Sequence, residues 1–143
     1  MKLGIDIGYN AVKVTDGSTV ISFPSVVGTA DASRFTAGGI PQSRSQTIQL
    51  CDGTEWMYGH EAVQMSRIVM RPEDRQWYDS REYAILLVAS LHEIMQANHK
   101  SADKYYVVTG LPVMFYDDKT NVEQIFLGEH CCYEDDKKTT YNI

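Results

Sequence analysis

The chain has 143 residues, 43% of them apolar and 22% charged, with a net charge of −6. That length suits one domain whose core needs no staples, because a chain of this size buries about 68–70% of its unfolded surface. The acid excess argues against a direct reader of nucleic-acid backbone, which needs Lys and Arg; the longest basic run is Lys137-Lys138. An acid at position 6 interrupts any signal-peptide core, and the longest apolar run, Tyr83 to Ala89, is far below the ~20 residues of a membrane span. Cys51, Cys131 and Cys132 are odd in number and show no paired spacing. This argues against a disulfide framework and for a reducing compartment, so a cytoplasmic protein is expected, with no membrane partner.

In chain order, Lys2 to Ile7 reads as a strand, broken by Gly8-Tyr9-Asn10. Ala11 to Thr15 alternates again, Asp16-Gly17 is a hairpin turn signal, and Val20 to Phe23 is a third strand stopped by Pro24. Residues 28–46 are small and polar and read as a surface loop. Thr47 to Cys51 and Trp56 to Tyr58 flank Asp52-Gly53-Thr54-Glu55 as a second hairpin. Gly59 to Ser66 is a short helix, and residues 67–78 are irregular.

The clearest helix runs from about Ser80 to Asn98. Ala84, Leu87, Val88, Leu91, Ile94 and Met95 share one face, and Ile85, Leu86 and Ala89 broaden it, so this helix is expected to be well buried. Asp79 with Glu82 resembles a capping box. Tyr105 to Thr109 is a strand ended by Gly110-Leu111-Pro112. Asp117 or Asp118 then caps a helix bearing Val122, Ile125 and Phe126, closed by Gly128. His130 to Tyr133 and Thr139 to Ile143 read as a hairpin over a charged turn, and the sequence is expected to stop within it. The pattern is mixed α/β, with an antiparallel opening and a crossover helix.

Asp6 to Lys13 is the segment with chemistry in it. A strand-end carboxylate calls for a cationic partner such as hydrated Mg²⁺ if it is buried. Gly8 lets a ligand oxygen approach the backbone, and the Tyr9-Asn10 turn can aim N–H groups at an anion. Asn10 tolerates positive φ, and Lys13 on the returning strand reaches a phosphate as a point charge. The same spacing also fits a plain hairpin with an exposed Asp and Lys.

Leu3 to Val14 resembles the first phosphate loop of the actin-like ATPase superfamily, and is most similar to the prokaryotic ParM/StbA-type and archaeal actin-like proteins. Phe23-Pro24-Ser25-Val26-Val27, Tyr58-Gly59-His60-Glu61-Ala62 and Val107-Val108-Thr109-Gly110-Leu111-Pro112-Val113 resemble later segments in the family's order. The resemblance implies a ribonuclease-H-like α/β fold, the actin and heat-shock-chaperone ATPase superfold, with residues 1–143 as an N-terminal domain. It implies ATP/ADP and Mg²⁺ as cofactors, and filament assembly by self-association with other actin-like subunits. Plasmid or DNA segregation through a DNA-bound adaptor would follow. By the same resemblance Asp6 holds Mg²⁺ through water, Gly8, Tyr9 and Asn10 cradle the β/γ-phosphates, Lys13 contacts phosphate, and Gly110 lies at the cleft. Tyr9 departs from the small hydroxyl residue of conventional actins, so the likeness does not extend to a hydroxyl contact there.

A second Asp-Gly phosphate loop and an adenosine pocket, which the family places in a second domain, have no counterpart after Gly110. The expectation is a half-site with no catalytic residue of its own, which binds ATP weakly or not at all and does not hydrolyse it. Two other functions fit the same superfold: a sugar-kinase-like phosphotransferase, and a non-enzymatic module that binds or caps actin-like subunits. No metal is expected at His130-Cys131-Cys132, since adjacent strand residues face opposite ways and no second pair completes four ligands. His92 and His99 are expected on the helix surface, Cys51 in packing, Trp56 and Trp77 in the core or an interface, and Glu73-Asp74 and Asp135-Asp136 in solvated turns.

Overall fold

The computed structural model describes residues 1–30, 45–71, 76–99, 101–134 and 136–143. In chain order these form β1 (Lys2–Ile7), β2 (Ala11–Thr15), β3 (Val20–Pro24), β4 (Val27–Thr29), β5 (Thr47–Leu50), β6 (Glu55–Tyr58), α1 (Gly59–Met65), β7 (Val69–Met70), α2 (Arg81–Asn98), β8 (Tyr106–Val108), α3 (Lys119–Phe126), β9 (Glu129–Glu134) and β10 (Lys137–Asn142). Short 3₁₀ turns at Trp77–Asp79 and Val113–Asp118 lead into α2 and α3.

Strand periodicity builds the first sheet. Leu3, Ile5 and Ile7 of β1, with Val12 and Val14 of β2, are buried, while Asp6 and Lys13 face out. The antiparallel register sets Ile5 opposite Val14 and Ile7 opposite Val12, which puts Asp6 opposite Lys13. β3 adds Phe23 to the core, and β8 joins the far edge of β1 in parallel, giving the order β3-β2-β1-β8. The second sheet is antiparallel throughout, in the order β10-β9-β5-β6-β4-β7.

α2 packs against strands of both sheets. Its buried residues run from Tyr83 through Ile94, including the expected Leu87, Val88, Leu91 and Ile94. Its cap is one residue later than expected: the Ser80 hydroxyl, not Asp79, accepts from the Tyr83 N–H at 3.2 Å. Asp118 occupies the N-cap position of α3 without a side-chain cap bond.

Several expectations need correction. β4 lies in the segment read as loop. Gly28 sits within it because a Cβ there would stand 2.3 Å from Ser66 Oγ, so the close approach of Ser66 demands a bare backbone. Residues 31–44 of that loop lie outside the described residues, as do Glu73, Asp74 and Asp135. β7 occupies part of the stretch read as irregular. The last hairpin is fully paired, from Glu129 opposite Asn142 to Glu134 opposite Lys137. His92 is buried rather than on the surface, within 3.5 Å of the Tyr141 hydroxyl. Cys51 is bonded to Cys131, 80 positions away. The pairing of β5 with β9 brings them together, and sequence spacing carries no trace of it.

The first hairpin is tied to the end of α2. The Asp16 carboxylate accepts from the Thr19 and Ser18 N–H groups at 2.7 and 2.9 Å and from the Asn98 amide at 2.9 Å. The Thr19 and Ser18 N–H groups and the Ser18 hydroxyl hold its pKa down to about 2, from 3.8. A carboxylate with a depressed folded-state pKa adds stability above its unfolded value, and that stability is lost as pH falls through the folded value. The thermal midpoint should therefore drop more steeply between about pH 4 and pH 2 in the wild type than in Asp16→Ala; parallel slopes would contradict this role for the turn.

Candidate functional site

The β1–β2 register delivers Asp6 and Lys13 as neighbours on the outer face of the first sheet. The chain leaving β8 folds over this face. Asp6, Lys13, Thr15, Val108, Gly110 and Pro112 line an open cleft of about 710 Å³. At the hairpin tip, Asp6, Gly8, Tyr9, Trp77, Tyr83 and Gly110 line a second hollow of about 90 Å³. Asp6 and Gly110 border both, so four of the expected residues, Gly8, Tyr9, Lys13 and Gly110, gather around Asp6. Asn10 lines neither hollow; its carbonyl accepts from the Ser25 N–H at 3.1 Å.

The hairpin is held from behind. The Gly8 N–H donates to the Ala11 carbonyl at 3.2 Å, and the buried Ser25 hydroxyl donates to the Gly8 carbonyl at 2.5 Å. A Cβ on Gly8 would sit 3.2 Å from that same Ala11 oxygen, so a larger residue there would have to push the pairing apart by a few tenths of an ångström. Asn10 does not take a positive φ, so the turn does not use the left-handed freedom expected of it. Asp6 is exposed rather than buried, so burial supplies no demand for a cation. Its position beside Lys13 and a bare glycine remains.

Residues that sequence reasoning did not assign to the site complete it. Trp77 lies 6.0 Å from the Tyr9 ring and 4.8 Å from the Tyr83 ring, bracing the hairpin tip against the start of α2. Tyr83 is pushed well above the usual tyrosine range, first by burial and then by the Asp6 carboxylate, so its hydroxyl stays protonated. Thr109 Oγ1, on the segment that covers the cleft, is buried and has no hydrogen-bond partner among the described residues. Trp77 was legible only as an aromatic, and Thr109 only as a hydroxyl before Gly110.

The arrangement fits a hydrated Mg²⁺ with an anionic ligand. Mg²⁺ keeps several waters and takes one or two carboxylates plus phosphate oxygens, and Asp6 is a carboxylate in an open, largely apolar cleft that also holds Lys13, Thr15 and Thr109. Among the described residues no three metal-ligating side chains cluster, so nothing there forms an all-protein cage. Thr109 offers an unsatisfied hydroxyl, and Lys13 a cation.

Removing the Ser25 hydroxyl strips the Gly8 carbonyl of this donor. Ser25→Ala should cost about 1–2 kcal/mol in urea denaturation; a loss within error would show that the hairpin is not held from behind as described.

Across residues 4–143 the chain matches the family described as actin-like proteins, N-terminal domain. A comparison with curated proteins gives no match. Among solved structures it is similar to apo psk41 ParM (TM-score 0.79, 15% identity) and to Ta0583, an archaeal actin homologue (TM-score 0.77, 22% identity). It is also similar to an AlfA filament bound to AMPPNP (TM-score 0.67, 18% identity). Each likeness covers 99% of this chain but only 46%, 43% and 51% of those chains, so the chain spans about half their length.

Proposed function

The chain belongs to the actin-like proteins through their N-terminal domain, and from that premise we propose that it is the phosphate-gripping half of an ATP-dependent filament protein. The observation that carries the reading is the convergence of Asp6, Lys13 and Gly110 on one cleft, in a fold shared with actin homologues. Mg²⁺, when bound, neutralises phosphate charge and polarises the phosphoryl group. Asp6 would hold it through water, Lys13 would meet a phosphate oxygen, and the Gly8–Tyr9 backbone would face the β/γ-phosphates. Similarity to a filament bound to AMPPNP supports a nucleotide of the ATP class. Cytoplasmic DNA or plasmid segregation through a DNA-bound adaptor is the cellular role we propose for such a filament. Among the described residues no helix is long and apolar enough to cross a membrane.

Half a cleft orients phosphate without closing over it, and phosphoryl transfer needs a closed, preorganised site. The 143-residue chain is therefore proposed to bind Mg·ATP weakly and not to turn it over. Steady ATP hydrolysis by the purified chain, abolished by Asp6→Ala, would refute this half-site reading. In a protein that joins this domain to a second one, Asp6→Ala should cut turnover by at least about 100-fold. ATP should also drive wild-type material into a sedimentable polymer. Sugar-dependent ADP release without polymer would favour a phosphotransferase instead.

Apolar surface supports self-association. Val108 and Leu127 are exposed and line a groove of about 600 Å³ beside β8, and Val113 and Met114 are exposed in the segment that follows β8. Light scattering of the chain should show concentration-dependent association; a clean monomer at high concentration would count against it.

A further inference from the structure

The three cysteines of the chain sit on or beside one strand pair. β5 and β9 place Leu50 opposite Cys132, so Cys51 falls opposite Cys131; their Cα atoms are 5.8 Å apart and their sulfurs are bonded. That spacing is in the ordinary range for a disulfide. Cys51 opens an exposed turn and Cys131 is half-buried, so small thiols can reach the bond. Cys132 points the other way. It is fully buried, 3.6 Å from the Tyr141 hydroxyl and 3.8 Å from His92 Nδ1, and burial pushes its thiol above the ordinary range. A thiol that stays protonated and enclosed does not compete in exchange.

The bonded turn is also docked onto α2. Arg81 pairs with Asp52, donates to Thr54 Oγ1 at 2.8 Å, and lies 5.2 Å over the Trp56 ring. The bond therefore joins the β9–β10 hairpin to the β5–β6 turn and, through it, to the start of α2. Hydrogen-bonded pairing of β5 with β9 is short, at Gln49–Tyr133 and Leu50–Cys132, so the covalent link extends a brief contact.

We propose that Cys51 and Cys131 form a reversible thiol–disulfide site, oxidised by low-molecular-weight disulfides and reduced by low-molecular-weight thiols, whose state sets how firmly the β9–β10 hairpin is held to the rest of the second sheet. In oxidation, the Cys51 thiolate attacks one sulfur of the small disulfide, giving a mixed disulfide and one small thiolate. The Cys131 thiolate then attacks the Cys51 sulfur, closing the protein bond and expelling the second small thiolate. Two protein thiols lose two electrons, the small disulfide gains them, and the two protons pass through solvent to the departing thiolates. Reduction is the reverse.

The test equilibrates the chain in glutathione buffers from oxidised to reduced, quenches with acid, and blocks free thiols with N-ethylmaleimide in denaturant. Expected is one adduct, on Cys132, at the oxidised end and three at the reduced end. Reduction should lower the thermal midpoint by roughly 5–10 °C and speed amide exchange across β9–β10. Cys51→Ser and Cys131→Ser should abolish the redox dependence, and Cys132→Ala should keep it. Three adducts in every buffer, one adduct in every buffer, or an unchanged midpoint would each overturn the proposal. So would a mapped bond that includes Cys132. Peptide mapping of the wild-type chain locates the bond even if a variant fails to fold.

Discussion

The register of β1 against β2 is the constraint on which the rest depends. Ile5 and Ile7 oppose Val14 and Val12 on the face that packs into the core. A slip of β2 by one residue would turn Val12 and Val14 to solvent and Lys13 toward the core, at a cost of several kcal/mol in lost apolar burial and stranded charge. The core thus fixes the outward pair without any bond between Asp6 and Lys13 being needed. Whatever the cleft binds, its charged groups are positioned by apolar residues on the other side of the sheet.

α2 carries this constraint to the rest of the molecule. It buries one flank against the first sheet and another against the second. At its start, Tyr83 meets Trp77, which meets Tyr9 at the hairpin tip. At its end, Asn98 anchors the turn between β2 and β3 through Asp16. The outward face of the first sheet is therefore backed by one rigid helix whose two ends each hold a loop of the opening hairpins.

What was legible in the sequence follows from the range of each interaction. β1, β2 and β3 were readable because alternation and turn residues are local, as was the apolar repeat of α2. Asp6, Gly8, Tyr9, Lys13 and Gly110 were readable as site candidates because they sit in short motifs, and the fold brings them to one place. The second sheet was legible only in part: β5–β6 and β9–β10 read as hairpins from their local patterns, but their joining into one sheet did not. Its short strands β4 and β7 have too few residues to show a period, and Gly28 is set by a contact with Ser66 from 38 positions away. The Cys51–Cys131 pair and the burial of His92 depend on β9 meeting β5 and α2, which is long-range pairing. Thr109 stood out only once its hydroxyl was seen to lack a partner.

Phosphate and Mg²⁺ are proposed to be held on the outer face of β1–β2. Amide chemical-shift mapping of the chain titrated with ATP, with and without Mg²⁺, tests this most directly, because it detects weak binding residue by residue. The account predicts Mg²⁺-dependent shifts centred on Gly8, Tyr9, Asn10, Thr109 and Gly110, and their loss in Asp6→Ala. Shifts centred elsewhere, or none at high ATP concentration, would contradict it.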